Sequence, residues 1–161
     1  MSNSYSNKSY TIRNIEEKDI DDLYLFLNNL DEKTKKFFHP HPFDKNTITS
    51  ICNLKKDHYY VLVENNRIIG YSFLRLFGYE IPSFGIIIRP KFKDKGYGTI
   101  LTDWTIKKAK ELGYEKVILK TYKENISAQK IYEKIGFKIV GETEDKKQYK
   151  MEINFSDLIK E

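Results

Sequence analysis

A glycine-containing turn between a predicted strand and a predicted helix is the part of the sequence best suited to bind a ligand. Gly96 and Gly98 can adopt backbone conformations closed to other residues, and their missing side chains let a ligand approach the amides where the helix begins. The positive end of the helix dipole favours phosphate there, and Lys91, Lys93 and Lys95 add positive charge. The turn is a candidate anion site, although two glycines also suit the geometry of an ordinary strand-to-helix turn.

Common nucleotide-binding motifs do not fit this turn. Gly98 is followed by Thr99-Ile100, whereas a Walker loop needs Lys and then Ser or Thr. A dinucleotide fingerprint would carry a third glycine and would open the first strand–helix–strand unit of its domain. The sequence therefore disfavours both motifs.

Nucleophilic and metal chemistry are also disfavoured. Cys52 shares a predicted helix face with Ile48 and Ile51, which is typical of a small core residue. The sequence has no Gly-x-Ser-x-Gly motif, so hydrolysis by a serine triad is not expected. A single cysteine cannot build a zinc cluster, and His39 and His41 alone do not make a metal site, so we expect no metal.

The composition describes one domain. The chain has 161 residues, 40% of them hydrophobic, with a net charge of +5, and we assign residues 1–9 to a flexible tail and residues 10–161 to the domain. The sequence lacks the apolar run of a membrane helix and has one cysteine, so we expect a cytoplasmic location and no membrane partner. The positive charge is too dispersed for a nucleic-acid-binding stripe, and we expect no nucleic-acid partner.

The hydrophobic periodicity predicts a mixed α/β (α+β) domain around the turn. Asn65-Asn66 favours a tight hairpin turn, and Ile86-Ile87-Ile88 is typical of a strand covered on both faces. Gly113 is the expected end of the helix that follows the turn. The predicted strands are residues 10–14, 59–64, 67–76, 81–89, 117–121, 137–141 and 148–153. The predicted helices begin near Ile20, Lys45, Thr99 and Ser127, with a short helix or turn at 31–43 that ends in His39-Pro40-His41-Pro42.

Four segments carry a family pattern: Ile88–Gly98, Ala109–Gly113, Asn125–Ala128 and Tyr132–Phe137. In order and spacing they resemble the GNAT superfamily of acetyl-CoA-dependent N-acetyltransferases. The similarity is strong over residues 70–141 and only architectural before them. It implies a largely antiparallel sheet with splayed central strands and flanking helices, acetyl-CoA as co-substrate, and no metal.

The resemblance implies a coenzyme site. The pantetheine arm would lie in the gap beside Ile86 and Ile88, and Asn125 would anchor its amide or order the following helix. Lys93 replaces the usual Arg or Gln and loses the planar fork, and Asp94 stands where many relatives have Gly. In the family the turn cradles the pyrophosphate, and the corresponding residues are Lys93, Asp94, Lys95, Gly96, Tyr97, Gly98 and Thr99.

The resemblance also implies catalytic residues. Tyr132 corresponds to the tyrosine that protonates the departing thiolate, although its place on an apolar helix stripe also fits a core residue. Glu80 is the carboxylate nearest the position of the family's general base, and it also fits a solvent-facing charge at a strand end. Gly85 would either supply the bulge that starts the splay or make room for a neighbouring ring.

The expected function is direct transfer of acetyl from acetyl-CoA to the primary amine of a small-molecule or peptide acceptor. Protein N-termini, lysines, polyamines, and amino sugars or antibiotics stay open as acceptors, and a homodimer is left open. A weaker hypothesis places seven carboxylates beside a cationic acceptor, those of Asp19, Asp21, Asp22, Asp31, Glu142, Glu144 and Asp145. The alternative from another class is a non-catalytic acyl-CoA-binding or regulatory module of the same fold.

Overall fold

The computed structural model describes residues 9–53, 56–77 and 80–159. That part of the chain holds seven β-strands, six α-helices and two 3₁₀ turns, the latter at Glu17–Asp19 and Pro90–Phe92. The strands are β1 (Tyr10–Asn14), β2 (His58–Glu64), β3 (Arg67–Arg75), β4 (Ser83–Ile88), β5 (Lys116–Tyr122), β6 (Lys138–Glu142) and β7 (Gln148–Asn154). The helices are α1 (Ile20–Asn28), α2 (Glu32–Phe37), α3 (Lys45–Asn53), α4 (Tyr97–Glu111), α5 (Ile126–Ile135) and α6 (Phe155–Ile159).

The described strands form one sheet in the order β1-β2-β3-β4-β5-β7-β6. Neighbours are antiparallel except β4 and β5, which are parallel. Ser83 pairs with Ile118 where β4 and β5 begin, and the Ile118 amide donates to the Pro82 carbonyl at 3.0 Å. Beyond that point the two strands separate. The predicted mixed α/β (α+β) fold with a largely antiparallel sheet, splayed central strands and flanking helices is confirmed.

Helices cover both faces of the sheet. Helices α1 and α3 pack on the face that carries Tyr71, Phe73 and Ile87. Helices α4 and α5 cover the opposite face, where Ile86 and Ile88 pack. The side chains of β4 therefore alternate between two apolar layers, as predicted for a strand covered on both sides. No helix within the described ranges combines the length and the apolar character needed to cross a membrane.

Two turns and one strand position show why particular residues occupy them. Asn65 and Asn66 have φ values of 53° and 61°, which the hairpin turn between β2 and β3 requires. Gly113 has a φ of 95° and follows the end of α4, as predicted. Gly85 supplies no bulge, because β3 and β4 pair without a register shift. A side chain at Gly85 would overlap the Phe73 ring, so this glycine makes room for a neighbouring ring.

Several boundaries differ from the predicted ones. Helix α4 begins at Tyr97 instead of Thr99, because the left-handed Gly96 ends the turn directly before it. Helix α5 begins at Ile126, since Asn125 caps it. Helix α6 was not predicted. Residues 1–8 of the predicted tail lie outside the described residues, as do residues 54–55 at the end of the third predicted helix.

Candidate active site

A cleft of about 610 Å³ opens where β4 and β5 separate. On their outer sides β4 pairs with β3 and β5 pairs with β7. Their inner backbone edges face the cleft and can form hydrogen bonds with a ligand. Residues of β4, the turn before α4, the start of α4, the end of β5, α5 and α2 line the cleft. The predicted site residues among them are Ile86, Ile88, Lys93, Asp94, Gly96, Gly98, Thr99, Asn125 and Tyr132.

Glu80, Lys95 and Tyr97 are predicted site residues that the structure does not bring to the cleft lining. Glu80 is exposed before β4 begins, and Lys95 is exposed on the turn. The Tyr97 hydroxyl donates to Glu64 at 3.1 Å, and its ring packs edge-to-face on Tyr10. Successive residues of a helix point about 100° apart, so Tyr97 faces β1 and β2 while Gly98 faces the cleft.

The turn before α4 contains two residues in the left-handed region. Asp94 has a φ of 61° and Gly96 a φ of 89°. Aspartate is one of the few residues with a side chain that adopts this conformation, which explains how Asp94 can replace a glycine. At Gly98, a Cβ would stand 3.3 Å from Cδ1 of Ile131, so glycine lets α4 and α5 approach closely beside the cleft.

Helix α2 contributes a wall that the sequence analysis missed. Its residues Lys33, Thr34 and Phe37, and Phe38 directly after it, line the cleft. The Lys93 ammonium donates to the Thr34 hydroxyl at 3.4 Å, which joins this wall to the turn. The sequence contains little indication of this wall, because α2 has only six residues. The contact that joins it to the turn is between residues 59 positions apart.

A buried hydroxyl also faces the cleft. Thr102 lies one helical turn after Gly98 on α4, is 1% exposed and lines the cleft. Its Oγ1 has no hydrogen-bond partner among the described residues. A buried polar atom without a partner costs free energy, so this hydroxyl is suited to a polar group of a ligand. The i, i+4 spacing of Thr102 from Gly98 could have indicated from the sequence that both residues face the cleft.

Tyr132 lies at the inner end of the cleft. It is 8% exposed and packs edge-to-face on the rings of Phe84 and Phe137. Within the described residues its hydroxyl has no hydrogen-bond partner, unlike that of most buried tyrosines. Burial raises the pKa of the Tyr132 phenol above its usual value of 10.0, so the hydroxyl keeps its proton at neutral pH.

Asn125 orders the helix that follows it, which is one of the two roles expected from the sequence. Its Oδ1 accepts from the Ala128 amide at 3.4 Å and so caps α5. The Gln129 side chain donates to the carbonyls of Tyr122 and Lys123 at 3.0 and 2.8 Å. These contacts tie the start of α5 to the end of β5, on the side of the cleft opposite β4.

Most of the carboxylates that the weaker hypothesis placed beside an acceptor bind other groups of the protein. At the turn between β6 and β7, Glu142 pairs with Lys123 at 2.8 Å and Asp145 accepts from the Thr143 hydroxyl at 2.7 Å. Asp19 is buried, and its two oxygens accept from one guanidinium at 2.7 and 2.9 Å. Hydrogen bonds from Thr34 lower the pKa of Asp31, which caps α2. The partners are Arg13 for Asp19, Lys45 for Asp21, Arg89 and the Ile68 amide for Asp22, and Thr34 for Asp31.

The sequence matches a family model over most of its length. The model is described as an Acetyltransferase (GNAT) domain, and it matches residues 10–138. The chain belongs to the GNAT acetyltransferase family. This confirms the resemblance stated from the four sequence segments.

One relative of this GNAT chain is the ribosomal protein bS18-alanine N-acetyltransferase of Haemophilus influenzae. The two are 38% identical over 76 residues, which is 47% of this chain and 51% of the relative. The chain thus matches about half the length of this relative.

Solved structures share the fold of this GNAT chain. The spermidine N-acetyltransferase from Vibrio cholerae, solved in complex with CoA and spermine, has a TM-score of 0.79 at 21% identity and covers 95% of this chain and 99% of its own. The ribosomal-protein-S5-alanine acetyltransferase from Vibrio fischeri has a TM-score of 0.79 at 15% identity and covers 93% of this chain and 95% of its own. At these identities the likeness establishes the GNAT fold.

Proposed function

We propose that this GNAT chain transfers acetyl from acetyl-CoA directly to the primary amine of a small-molecule or peptide acceptor. The cleft between β4 and β5 carries the proposal, because an anion-binding turn lies at one end and a protonated tyrosine at the other. Bound acetyl-CoA supplies a thioester whose C–S bond breaks as the acceptor nitrogen forms the new C–N bond. The remaining chemistry belongs to the side chains and amides of the cleft.

The residues of the turn fit the phosphates of the coenzyme. The left-handed Gly96 and the side-chain-free Gly98 leave room for a ligand at the first amides of α4. The lysines Lys33 and Lys93 line the same end of the cleft and bring positive charge. The Asp94 carboxylate also lines it and opposes an anion, so the backbone amides and the two lysines must outweigh one negative charge.

The pantetheine arm fits between the separated strands. The half-buried side chains of Ile86 and Ile88 offer apolar contact, and the inner edge of β4 offers backbone donors and acceptors. Thr102 and Asn125 add a buried hydroxyl and an amide along the same path. The Tyr132 hydroxyl is proposed to donate the proton that the departing thiolate takes up.

The acceptor is proposed to have an uncharged body. Phe37, Phe38 and Tyr122 line the cleft on the side of α2 and the end of β5, where we place the acceptor, and Lys120 lies on the same stretch of β5. The Glu124 carboxylate at this end is within 3.4 Å of the Lys36 ammonium. A polycation would meet aromatic rings and lysines there instead of unpaired carboxylates, whereas the N-terminus of a peptide would bring one charge and apolar side chains.

The test is amine-dependent thiol release from acetyl-CoA. The panel contains a tetrapeptide amide with N-terminal alanine, a lysine blocked at its α-amine, spermidine and an aminoglycoside, and mass spectrometry identifies the N-acetyl product. We expect a peptide or blocked-lysine kcat/KM at least about tenfold above that of spermidine, a difference of about 1.4 kcal/mol. Acetyl-CoA binding by calorimetry without thiol release from any amine would instead support the non-catalytic module.

A further inference from the structure

Each histidine of the chain contacts a tyrosine hydroxyl. His41 Nε2 lies 2.9 Å from the Tyr71 hydroxyl, and His58 Nε2 lies 2.8 Å from the Tyr114 hydroxyl. His39 Nε2 lies 3.2 Å from the Tyr122 hydroxyl, and the two rings are 6.2 Å apart at 64°. The His39–Tyr122 pair is the one of the three that reaches the cleft, because Tyr122 lines it.

Contacts to the backbone and to the ring of Tyr122 hold this residue in place. Its carbonyl accepts from the Asn125 amide at 2.9 Å and from the Gln129 side chain at 3.0 Å. The Phe37 ring of α2 packs against it at 5.5 Å between centroids. Tyr122 therefore stands at a fixed position at the end of β5, with one side toward the cleft and its hydroxyl against an imidazole.

His39 connects this hydroxyl to solvent. Its side chain is exposed, so its ring can exchange a proton with water. The next residue, Pro40, is anchored because its carbonyl accepts from Arg75 at 2.7 Å. Charged groups near the pair include Lys36 of α2 and Glu124 after β5, which bind each other at 3.4 Å, Lys120 of β5 and Arg75 of β3.

The part of the chain that the structure describes places no unpaired carboxylate at the wall proposed for the acceptor. Glu80 lies outside the cleft lining, Asp94 lies on the phosphate-binding turn, and Glu124 is bound to Lys36. An acceptor amine arrives protonated at neutral pH and must lose a proton before it can attack. Among the described residues of that wall, the Tyr122 hydroxyl and the imidazole behind it supply a path for this proton.

We propose that Tyr122 and His39 form a proton relay for the acceptor amine, an inference that rests on the proposed acetyl transfer. The acceptor ammonium gives one N–H proton to Oη of Tyr122, while the original Oη proton moves to Nε2 of His39. The amine is then neutral, Tyr122 is unchanged, and the imidazolium later returns its proton to water. Tyr122 touches the acceptor, and His39 is a positioning residue that acts through it.

The test compares kcat/KM of the wild-type protein with that of the variants His39→Gln and Tyr122→Phe from pH 6.5 to 9.5. The acceptor is the tetrapeptide amide with N-terminal alanine, whose α-amine has a pKa of about 8. At pH 6.5 we expect each variant to fall by about 10²-fold, in the range of positioned acid–base groups. Above pH 8 the amine arrives neutral, so the deficit should shrink to less than about tenfold. A purely structural role would give a deficit that does not change with pH.

The control is His58→Gln, which removes the same type of His–Tyr contact away from the cleft. This variant should keep the wild-type pH profile. Added imidazole should restore part of the activity of His39→Ala and none of that lost by Tyr122→Phe. Nitrogen-15 spectra of the histidine rings add a readout independent of turnover, since Tyr122→Phe should shift the Nε2 signal of His39 alone.

The outcomes separate the relay from the proposed function. A wild-type protein that releases no thiol with any amine would overturn both. An active wild-type protein whose His39→Gln variant keeps its activity, or loses it equally at every pH, would overturn the relay and leave the acetyl transfer standing. The proposal also fails if Tyr122→Phe leaves the His39 ring signals unchanged.

Discussion

Tyr132 packs as a core residue and still leaves its hydroxyl available for the catalytic role proposed for it. Its ring belongs to the apolar cluster with Phe84 and Phe137, as expected of a core tyrosine. Its hydroxyl lies at the cleft without a partner in the described chain, as expected of a group reserved for a substrate. The two roles use different atoms, so removing the hydroxyl alone separates them.

Tyr132→Phe should lower kcat by about 10²–10⁴-fold while leaving the affinity for acetyl-CoA unchanged. The free energy of unfolding should change by less than about 1 kcal/mol, because no intramolecular hydrogen bond of this hydroxyl is lost. Burial raises the pKa of Tyr132, so the wild-type rate should show no loss of this proton below pH 10. Single-turnover kinetics, calorimetry and thermal melting check these expectations. A variant with wild-type kcat where chemistry limits the rate would remove Tyr132 from the mechanism.

At the scale of elements, the contact between α4 and α5 limits the width of the cleft beside the turn before α4. Gly98 on α4 faces Ile131 on α5, and both line the cleft. Any side chain at residue 98 must displace Ile131 or enter the cleft. The glycine therefore allows the two helices to pack closely and leaves this part of the cleft free of a side chain.

Gly98→Glu should reduce acetyl-CoA affinity by at least about 10²-fold, because it places bulk and negative charge where the phosphates are proposed to bind. The matched control is Gly141→Glu on β6, where a Cβ meets no atom within 4 Å. Calorimetry with acetyl-CoA on both folded variants checks this. Equal affinity in the two variants would exclude the turn from the coenzyme site.

At the scale of the whole molecule, two half-buried imidazoles link folding to pH. His41 Nδ1 lies 2.7 Å from the Pro42 carbonyl, which can only accept, so Nδ1 carries the proton and Nε2 accepts from Tyr71. Burial lowers the pKa of His41 and of His58 below 6.5. The unfolded chain then binds more protons than the folded chain as the pH falls below that value, so acid favours unfolding.

The free energy of unfolding should therefore decrease as the pH is lowered from 6.5 to 5. His41→Gln should be less stable than the wild-type protein at pH 7.5. It should lose less stability between pH 6.5 and 5, because the unfolded variant no longer takes up a proton at residue 41. Urea unfolding at several pH values measures both effects. The aspartates with lowered pKa, Asp31, Asp44 and Asp145, titrate below 3.8 and do not contribute here. A wild-type slope in His41→Gln would contradict the assignment.

The sequence alone determined the features that depend on neighbours along the chain. Asn65-Asn66, Gly113 and the run Ile86-Ile87-Ile88 specify a turn, a helix end and a doubly covered strand through local backbone and side-chain preferences. The order and spacing of four short segments identified the GNAT family. The residues proposed to bind the coenzyme lie on one continuous turn, and the sequence could group them because a turn brings its own residues together.

Tertiary structure alone decided which distant residues share the cleft. The contact of Lys93 with Thr34, the approach of His39 to Tyr122 and the pairing of Lys36 with Glu124 join positions 59 to 88 residues apart, and no local pattern records them. The position of Glu80 outside the cleft and the outward turn of Tyr97 likewise follow from where β4 and α4 begin in space. Local conformational preferences act over a few residues. The cleft is built by elements that lie far apart in the sequence, and their distance along the chain does not indicate how they pack in space.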